Sequence, residues 1–508
     1  MDTSAHLTFL NPATGETFGE IAMTSPEQVQ QATCDMRKAA PMWAAKSVHE
    51  RIRILRQFQH LLIDAEQEIT SLINQDCGKS RQDALIELLV TVDILNEYCR
   101  RAPQWLRRER VSSGLYFSKS CYVEHRPHGV VLVLSPWNYP LALSLPQVLA
   151  AVLAGNTVIL KPSEVTAATG VMIETLLKRV PELAPYIRIV HGDGRVGAAL
   201  IAARPDYIHL TGSTATGRKV MQAAAEHLIP VACELGGKDA MLVLEDADVD
   251  AAARWGVWGA YFNAGQTCMS VERVYVAEPL YDEFVRRAVH YTEQFKMGFT
   301  TDVDSPFSIG PITDPRQVRI IEEHLQDAVA KGARILTGGQ KQGMFFAPTV
   351  LVDVDHTMLL MQEETFGPLM PIMKVKDEAE AIRLANDSHF GLGASVWGRN
   401  VKHAEEVAKQ IQAAAVIIND TIAQFGIPML PFGGVKDSGA GRTHGKEGLM
   451  QFVRPYSYAV GNPPLKWDIA TVLREPRHYA LGVAILGLAF GVTMHQRINA
   501  AKQLRPSK

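Results

Sequence analysis

A chain of 508 residues, 47% apolar and 21% charged, is long enough for two to four structural units with large buried cores, which excludes a disordered or fibrous protein. A formal net charge of −3 with no basic domain argues against nucleic acid as a partner. The six cysteines (Cys34, Cys77, Cys99, Cys121, Cys233, Cys268) lack CxxC or CxxH spacing, so neither structural zinc nor a disulfide framework is expected. That usage fits a reducing compartment, and the N-terminus lacks the charged start and apolar run of a signal peptide.

Asn11-Pro12-Ala13-Thr14-Gly15 reads as a turn between two short strands. Ser25-Pro26-Glu27 opens a helix, Ser47-Val48-His49-Glu50 is a capping box for the next, and a further helix is predicted over roughly 82–106. From Val130 the pattern changes to buried strands alternating with helices. Val130–Leu134, Thr157–Leu160, Ile187–Val190, Tyr207–Leu210 and Ile229–Ala232 are predicted strands, with helical segments between them. Such alternation predicts a doubly wound parallel sheet with its ligand at the carboxyl ends of the strands. A second α/β region is predicted over about 255–434, including strands at 334–336, 369–372 and 416–418.

The chemistry-bearing residues fall at the ends of these strands. Cys268 follows a Gly-Gln turn in Tyr261-Phe262-Asn263-Ala264-Gly265-Gln266-Thr267-Cys268, and a thiol is the best nucleophile a protein offers near neutral pH. Most cysteines are inert buried hydrophobes, so the surroundings have to decide. Asn138 in Ser135-Pro136-Trp137-Asn138-Tyr139-Pro140 is able to donate an N–H to an oxyanion, although an asparagine in such a turn more often caps its own backbone. Lys161 and Glu164 suit ribose hydroxyls or a strand-ending turn. The Thr211-Gly212-Ser213-Thr214-Ala215-Thr216-Gly217 stretch opens a helix at a position that suits a pyrophosphate, although it lacks G-x-G-x-x-G spacing. Glu234, in Glu234-Leu235-Gly236-Gly237-Lys238, is either a general base with a burial-raised pKa or a satisfied structural carboxylate.

In this order the motifs resemble those of the aldehyde dehydrogenase superfamily over about Phe9 to Asn462. The resemblance is carried by Phe-x-x-Gly-Gln-x-Cys with Arg273 five residues on, by Glu-Leu-Gly-Gly-Lys 34 positions before Cys268, by Glu363-Glu364-Thr365-Phe366-Gly367-Pro368, and by Pro431-Phe432-Gly433-Gly434 with the residues that follow. It implies a doubly wound cofactor-binding domain (1–115 and 128–250), an α/β catalytic domain (251–440) and a small oligomerisation element (116–127 and 451–462). It also implies that Cys268 attacks the aldehyde, that Asn138 and the Cys268 N–H hold the oxyanion, and that Glu234 activates the hydrolytic water. Trp137, Lys161, Ser163, Glu164, Gly212, Ser213, Gly217, Leu235, Gly236, Glu364 and Phe366 are implied to contact NAD or NADP, and Phe432 to line the substrate pocket. No metal site and a homodimer or homotetramer are implied. Many members carry a lysine where Gln147 stands, which weakens any auxiliary proton relay here.

The remaining stretch, 463–508, holds an uncharged run from Tyr479 to Met494 flanked by Arg474, Arg477, Arg497, Lys502 and Arg505. Its 16 residues fall just short of a bilayer span, so it reads as a tail helix packed on protein or as a membrane anchor on the cytoplasmic side. The tail layout is similar to that of membrane-anchored long-chain aldehyde dehydrogenases, which makes apolar aldehydes the expected substrates. The alternatives are a CoA-acylating enzyme, which typically lacks the glutamate, a semialdehyde-specific enzyme, and a non-catalytic protein on the same fold.

Overall fold

The computed structural model describes residues 6–461 and 469–503. The parts of the tail at 463–468 and 504–508, Arg505 among them, and the expected strand end at Asn462 lie outside the described residues. The chain divides into two compact units, one from residues up to Trp105 with Pro127–Arg454, the other from Leu106–Arg126 with the residues from Pro455 on. The boundary differs from the sequence expectation: residues 106–115 go with the small unit rather than with the first domain.

In the large unit, both expected helix starts are built as capping boxes. Ser25 caps Pro26–Ala44 with Gln28 reaching back, and Ser47 caps Val48–Asp64 with Glu50 reaching back. A six-stranded sheet runs in the order Gly439–Ala440, Val231–Glu234, Tyr207–Thr211, Val130–Leu134, Thr157–Lys161, Ile187–Ile189. All its strands are parallel except Gly439–Ala440, which pairs antiparallel with Cys233 and Glu234. Val130–Leu134 and Thr157–Lys161 are buried along their whole length, as their uninterrupted apolar character requires of a sheet covered on both faces. Winding runs outwards from Val130–Leu134 in one direction and returns to Tyr207–Thr211 on its other side. The strand order therefore reverses between these two, and their carboxyl ends carry Trp137-Asn138 and Gly212-Ser213.

The seven-stranded sheet has the order Arg334–Thr337, Thr349–Val352, Leu369–Val375, Val271–Ala277, Asp239–Val243, Gly393–Trp397, Ala415–Ile418. It is parallel apart from Arg334–Thr337. Cys268, Glu364 and Lys238 all precede its strands. The site thus gathers the carboxyl ends of one sheet and the amino ends of the other.

The small unit contains a three-stranded sheet in the order Val453–Gly461, Lys119–Pro127, Glu109–Val111. The two expected oligomerisation strands are neighbours within one chain. Tyr122 stacks on Tyr458 at 5.5 Å, and the Arg108 guanidinium lies 3.7 Å above the Tyr122 ring. The uncharged run of the tail is helical only over Tyr479–Phe490, shorter than the continuous 479–494 segment read from sequence. Gly491 ends that helix, and the chain folds back as a second helix, Met494–Gln503. The two pack closely where a Cβ on Gly487 would lie 2.3 Å from that of Ala500. Among the described residues no helix is long and apolar enough to cross a membrane.

Candidate active site

The Val249–Tyr261 helix delivers the chain into a loop in which Asn263, Ala264 and Gly265 all have positive φ (52°, 57° and 72°). Two successive non-glycine residues in that region store strain, so tertiary contacts must hold them. Gly265 is required because a Cβ there would meet the Gly367 carbonyl oxygen at 2.3 Å. The buried Gln266 side chain pins the loop: its Nε2 donates to Asn263 O (2.9 Å) and its Oε1 accepts from Thr313 N (2.8 Å). Cys268, half-buried, emerges from this turn with its carbonyl packed against Gly237, where a Cβ would lie 2.5 Å from it.

Asn138 is fastened to the same loop. Its Nδ2 donates to Gln266 O at 3.0 Å, while Asn263 Nδ2 donates to Asn138 O at 3.2 Å. The Tyr139 hydroxyl is 2.7 Å from Thr267 Oγ1. A buried ion pair supports this strand end from behind: Lys79 Nζ donates to Glu87 Oε1 (2.7 Å) and to Asn138 O (2.6 Å). Glu87 Oε2 in turn accepts from Leu141 N and Ala142 N. With these partners the ions are satisfied rather than merely buried.

Glu234 lies at the end of its strand, and both carboxylate oxygens are buried without a hydrogen-bond partner among the described residues. Gly433 makes room for it, since a Cβ there would sit 2.8 Å from Glu234 Oε1. Desolvation holds its pKa well above the ordinary carboxylate value, only partly offset by Arg442. Desolvation, and then the neighbouring Asp239, Glu364 and Glu234, likewise push the Cys268 thiol up. The thiol is therefore protonated as the chain stands, and Glu234 is the orphaned acceptor in its field.

The residues expected to hold the dinucleotide sit at the strand ends and helix starts of the two sheets. Lys161 is buried, its Nζ 3.6 Å from Glu164 Oε2 and donating to Pro162 O at 3.0 Å. Ser213 caps Thr214–Ala225 through Thr216 N. Glu364 Oε1 accepts from Gly237 N (3.0 Å), and Gly236 must lack a side chain because a Cβ would meet Glu364 Oε2 at 2.2 Å. Desolvation, then the Glu272 charge, raise Glu364 to about 8. Phe366 meets Trp137 edge-on at 5.5 Å. A buried lysine paired with a carboxylate at a strand end, a capped helix start and a second carboxylate beside an aromatic pair fit an NAD(P) molecule. Gly217 serves packing, a Cβ there being 2.7 Å from the Leu235 side chain. Ser163 Oγ accepts from Val165 N.

An apolar cluster abuts Cys268. Phe432, Met269 and Leu392 form a buried cluster against which Cys268, Ile422 and Phe425 pack. Phe425 and Phe432 meet edge-on at 5.2 Å. A ladder of rings runs Tyr139–Phe262–Trp258–Trp255 with centroid separations of 6.2, 5.0 and 5.5 Å. Trp255 is exposed, and so are Ile427, Met429 and Leu430 on the segment that Thr421 ties to Trp255 O. Sequence reasoning found Phe432 but not Tyr139, Phe262, Trp258 or Phe425, nor the Lys79–Glu87 pair. Tyr139 and Phe262 lie inside the Trp-Asn and thiol motifs, whereas Lys79 sits in the short connection before the Arg81–Trp105 helix and Glu87 on that helix, where nothing local marks either.

Two mostly parallel α/β sheets bring together a thiol, an amide donor and a buried carboxylate at their facing strand ends, the arrangement expected of a nicotinamide-dependent dehydrogenase. The Aldehyde dehydrogenase family profile matches residues 1–457, and the chain belongs to that family. It is similar to 4,4'-diapolycopene aldehyde oxidase of Methylomonas sp, at 43% identity over 451 residues, covering 88% of this chain and 84% of that protein. It is 34% identical over 473 residues to aminoaldehyde dehydrogenase 1, peroxisomal, of Pisum sativum (90% of this chain, 93% of that one). Among solved structures it resembles the NADP-dependent glyceraldehyde-3-phosphate dehydrogenase from Bacillus halodurans C-125 complexed with NADP. There the TM-score is 0.85 at 32% identity, covering 90% of this chain and 96% of that chain. The protein is an NAD(P)-dependent aldehyde dehydrogenase.

Proposed function

We propose that the enzyme oxidises extended apolar aldehydes, a reading carried by the apolar cluster against which Cys268 packs and by the ring ladder that runs from Tyr139 to exposed Trp255. The 43% identity to a protein named for an apolar polyene aldehyde supports the same substrate class. The Cys268 thiol gives up its proton to solvent, its Sγ attacks the aldehyde carbon, and Asn138 Nδ2 with the Cys268 N–H holds the oxyanion. When bound, NAD(P)+ supplies the hydride acceptor that turns the thiohemiacetal into a thioester. Glu234 then takes a proton from water, which releases the acid and frees the thiol. The large unit's six-stranded sheet carries the cofactor and the seven-stranded sheet carries the thiol. Trp137, Lys161, Ser163, Glu164, Ser213, Glu364 and Phe366 contact the cofactor, with Gly212, Gly217, Leu235 and Gly236 shaping the cleft. Glu164 favours NAD, because a carboxylate beside the adenine-side ribose repels a 2′-phosphate, while NADP is also accepted. With purified protein in detergent, kcat/KM is expected to rise with aldehyde chain length and to exceed that for acidic semialdehydes, followed as NADH and NADPH formation. A profile that is flat or prefers acids overturns the substrate class.

The tail supports a place at a membrane surface on the cytoplasmic side. At 12 residues the Tyr479–Phe490 helix is about 18 Å long, against about 30 Å of hydrocarbon, so the hairpin enters one leaflet rather than crossing. Its tip exposes Phe490, Val492 (91%) and Met494, and Leu486 and Leu488 are exposed beside it. The sequence from Pro476 to Lys508 carries Arg and Lys but no Asp or Glu, which favours anionic lipid. The full chain is expected to float with anionic vesicles and not with zwitterionic ones, and Val492→Asp with Met494→Asp to remain unbound. Equal behaviour of the two proteins overturns this placement. We read the Val453–Gly461 edge strand, with Tyr456 and Val460 exposed, as a pairing surface between subunits of a homodimer or homotetramer.

A further inference from the structure

Glu272 stands beside the loop of the thiol and has no part in the chemistry above, yet it is 3% exposed and fully engaged. Its Oε2 accepts from Lys238 Nζ at 2.5 Å and from Thr365 N at 2.8 Å, and its Oε1 accepts from Phe366 N at 2.8 Å. Lys238 Nζ also donates to Thr365 Oγ1 at 3.1 Å, and His324 Nδ1 lies 3.1 Å from that same oxygen. Burial lowers the pKa of His324 to about 4, so it is neutral at working pH. Phe366 has φ +51°, an uncommon conformation for a bulky residue, which an external restraint must maintain. The restraint is this carboxylate, which takes the two consecutive backbone N–H groups of Thr365 and Phe366.

We infer that Glu272, charge-balanced by Lys238, is the positioning residue that holds Glu364 and Phe366 in place for the cofactor. The inference rests on the reading of Glu364 and Phe366 as cofactor contacts. A buried carboxylate with three donors is costly to assemble, and an uncharged side chain satisfies none of the fold's packing less well. What the charge adds is a fixed orientation for two backbone N–H groups, and through them for the side chains on either side. Lys238 and Glu272 belong to different strands, Asp239–Val243 beginning just after the lysine and Val271–Ala277 containing the glutamate. The clamp is therefore referenced to the rigid centre of the seven-stranded sheet, not to its own loop.

The test compares Glu272→Gln with wild type in NADH and NADPH fluorescence titrations, which need no turnover, and in steady-state KM values. Gln keeps the volume but turns one acceptor into a donor facing an N–H. Cofactor Kd and KM are expected to rise about ten-fold, while aldehyde KM and the rate of Cys268 alkylation by iodoacetamide without cofactor stay within about two-fold. Glu272→Gln with Lys238→Met, which removes both charges, is expected to recover thermal stability without recovering cofactor affinity. Recovery of both, an unchanged cofactor Kd in Glu272→Gln, or an equal rise in both KM values overturns the inference. If Glu272→Gln does not accumulate folded, Thr365→Val removes the oxygen shared by Lys238 and His324 and is read by the same criteria. Glu364→Gln tests the underlying reading separately. If it leaves cofactor affinity intact while Glu272→Gln weakens it, the held contact is Phe366 and the positioning role stands; if neither variant weakens it, the inference falls.

Discussion

Replacing Cys268 by alanine is expected to lower kcat for aldehyde oxidation by on the order of 10⁵-fold, the scale seen when a covalent nucleophile is removed. The loss follows from the chemistry, since without Sγ no thiohemiacetal forms and the hydride has no tetrahedral donor. It is not a folding effect: Cys268 is half-buried, and the loop is held by Gln266, Asn138 and Asn263 rather than by the thiol. Cofactor titration and the thermal unfolding midpoint should match wild type, and the check is NAD(P)H formation in a long-time assay. Residual activity within a hundredfold of wild type, in a protein shown by mass spectrometry to lack the thiol, would sink the assignment. A second readout uses the protonated state of the thiol. Desolvation and its carboxylate neighbours hold Cys268 above the ordinary thiol range, so alkylation of the free enzyme should be slow at neutral pH and accelerate as pH rises.

Glu234→Gln should act on a different step. With no base to activate water, kcat is expected to fall about 10²–10³-fold, the contribution of a positioned general base. Acylation survives, so each site should release one equivalent of NAD(P)H in a burst and then stall with an acyl group on Cys268, seen in quenched samples by intact mass. Loss of the burst along with kcat would instead assign Glu234 to thiol activation. The pH dependence has a definite sign. The base works as a carboxylate and its pKa is raised, so wild-type kcat climbs with pH through a range above that of an ordinary carboxylate, and the variant loses that limb. Stability runs the other way. A folded-state pKa above the unfolded value leaves its contribution intact below about 4.5 and removes it as pH rises through the folded pKa. Asp239, raised from 3.8 to about 8 by burial, and Glu364, raised to about 8, add to the same trend. Thermal midpoints should therefore fall between about pH 5 and pH 8, and less steeply in Glu234→Gln. The enzyme trades stability for an ionisable base.

Much of the fold was legible because its signals are local. Capping boxes at Ser25 and Ser47 need only three residues of context, and five-residue apolar runs such as Val130–Leu134 can hardly be anything but covered strands. The last strand of the first sheet shows where local signals weaken: Ile229-Pro230 looked like its start, but pairing begins at Val231 and extends to Glu234, which puts the carboxylate on the ladder itself. The thiol, the amide and the glutamate could be read because they sit in short motifs with unusual turn chemistry. Their partners could not. Lys79 reaches Asn138 across 59 positions and Glu272 reaches Phe366 across 94, distances over which spacing carries no information. The tail shows a different limit, because an uncharged run fixes hydropathy but not the place where Gly491 turns the chain.

One carbonyl oxygen, that of Gln266, accepts from both Asn138 Nδ2 and Asn263 Nδ2 (3.0 and 3.3 Å). The amide of the first sheet and the strained loop of the second thereby share a single anchor point. Full competence is then a conjunction, because the Asn138 donor is aligned with the thiol only when both sheets are in place. In a nascent chain whose two sheets have not yet closed, the thiol lacks the aligned amide of Asn138.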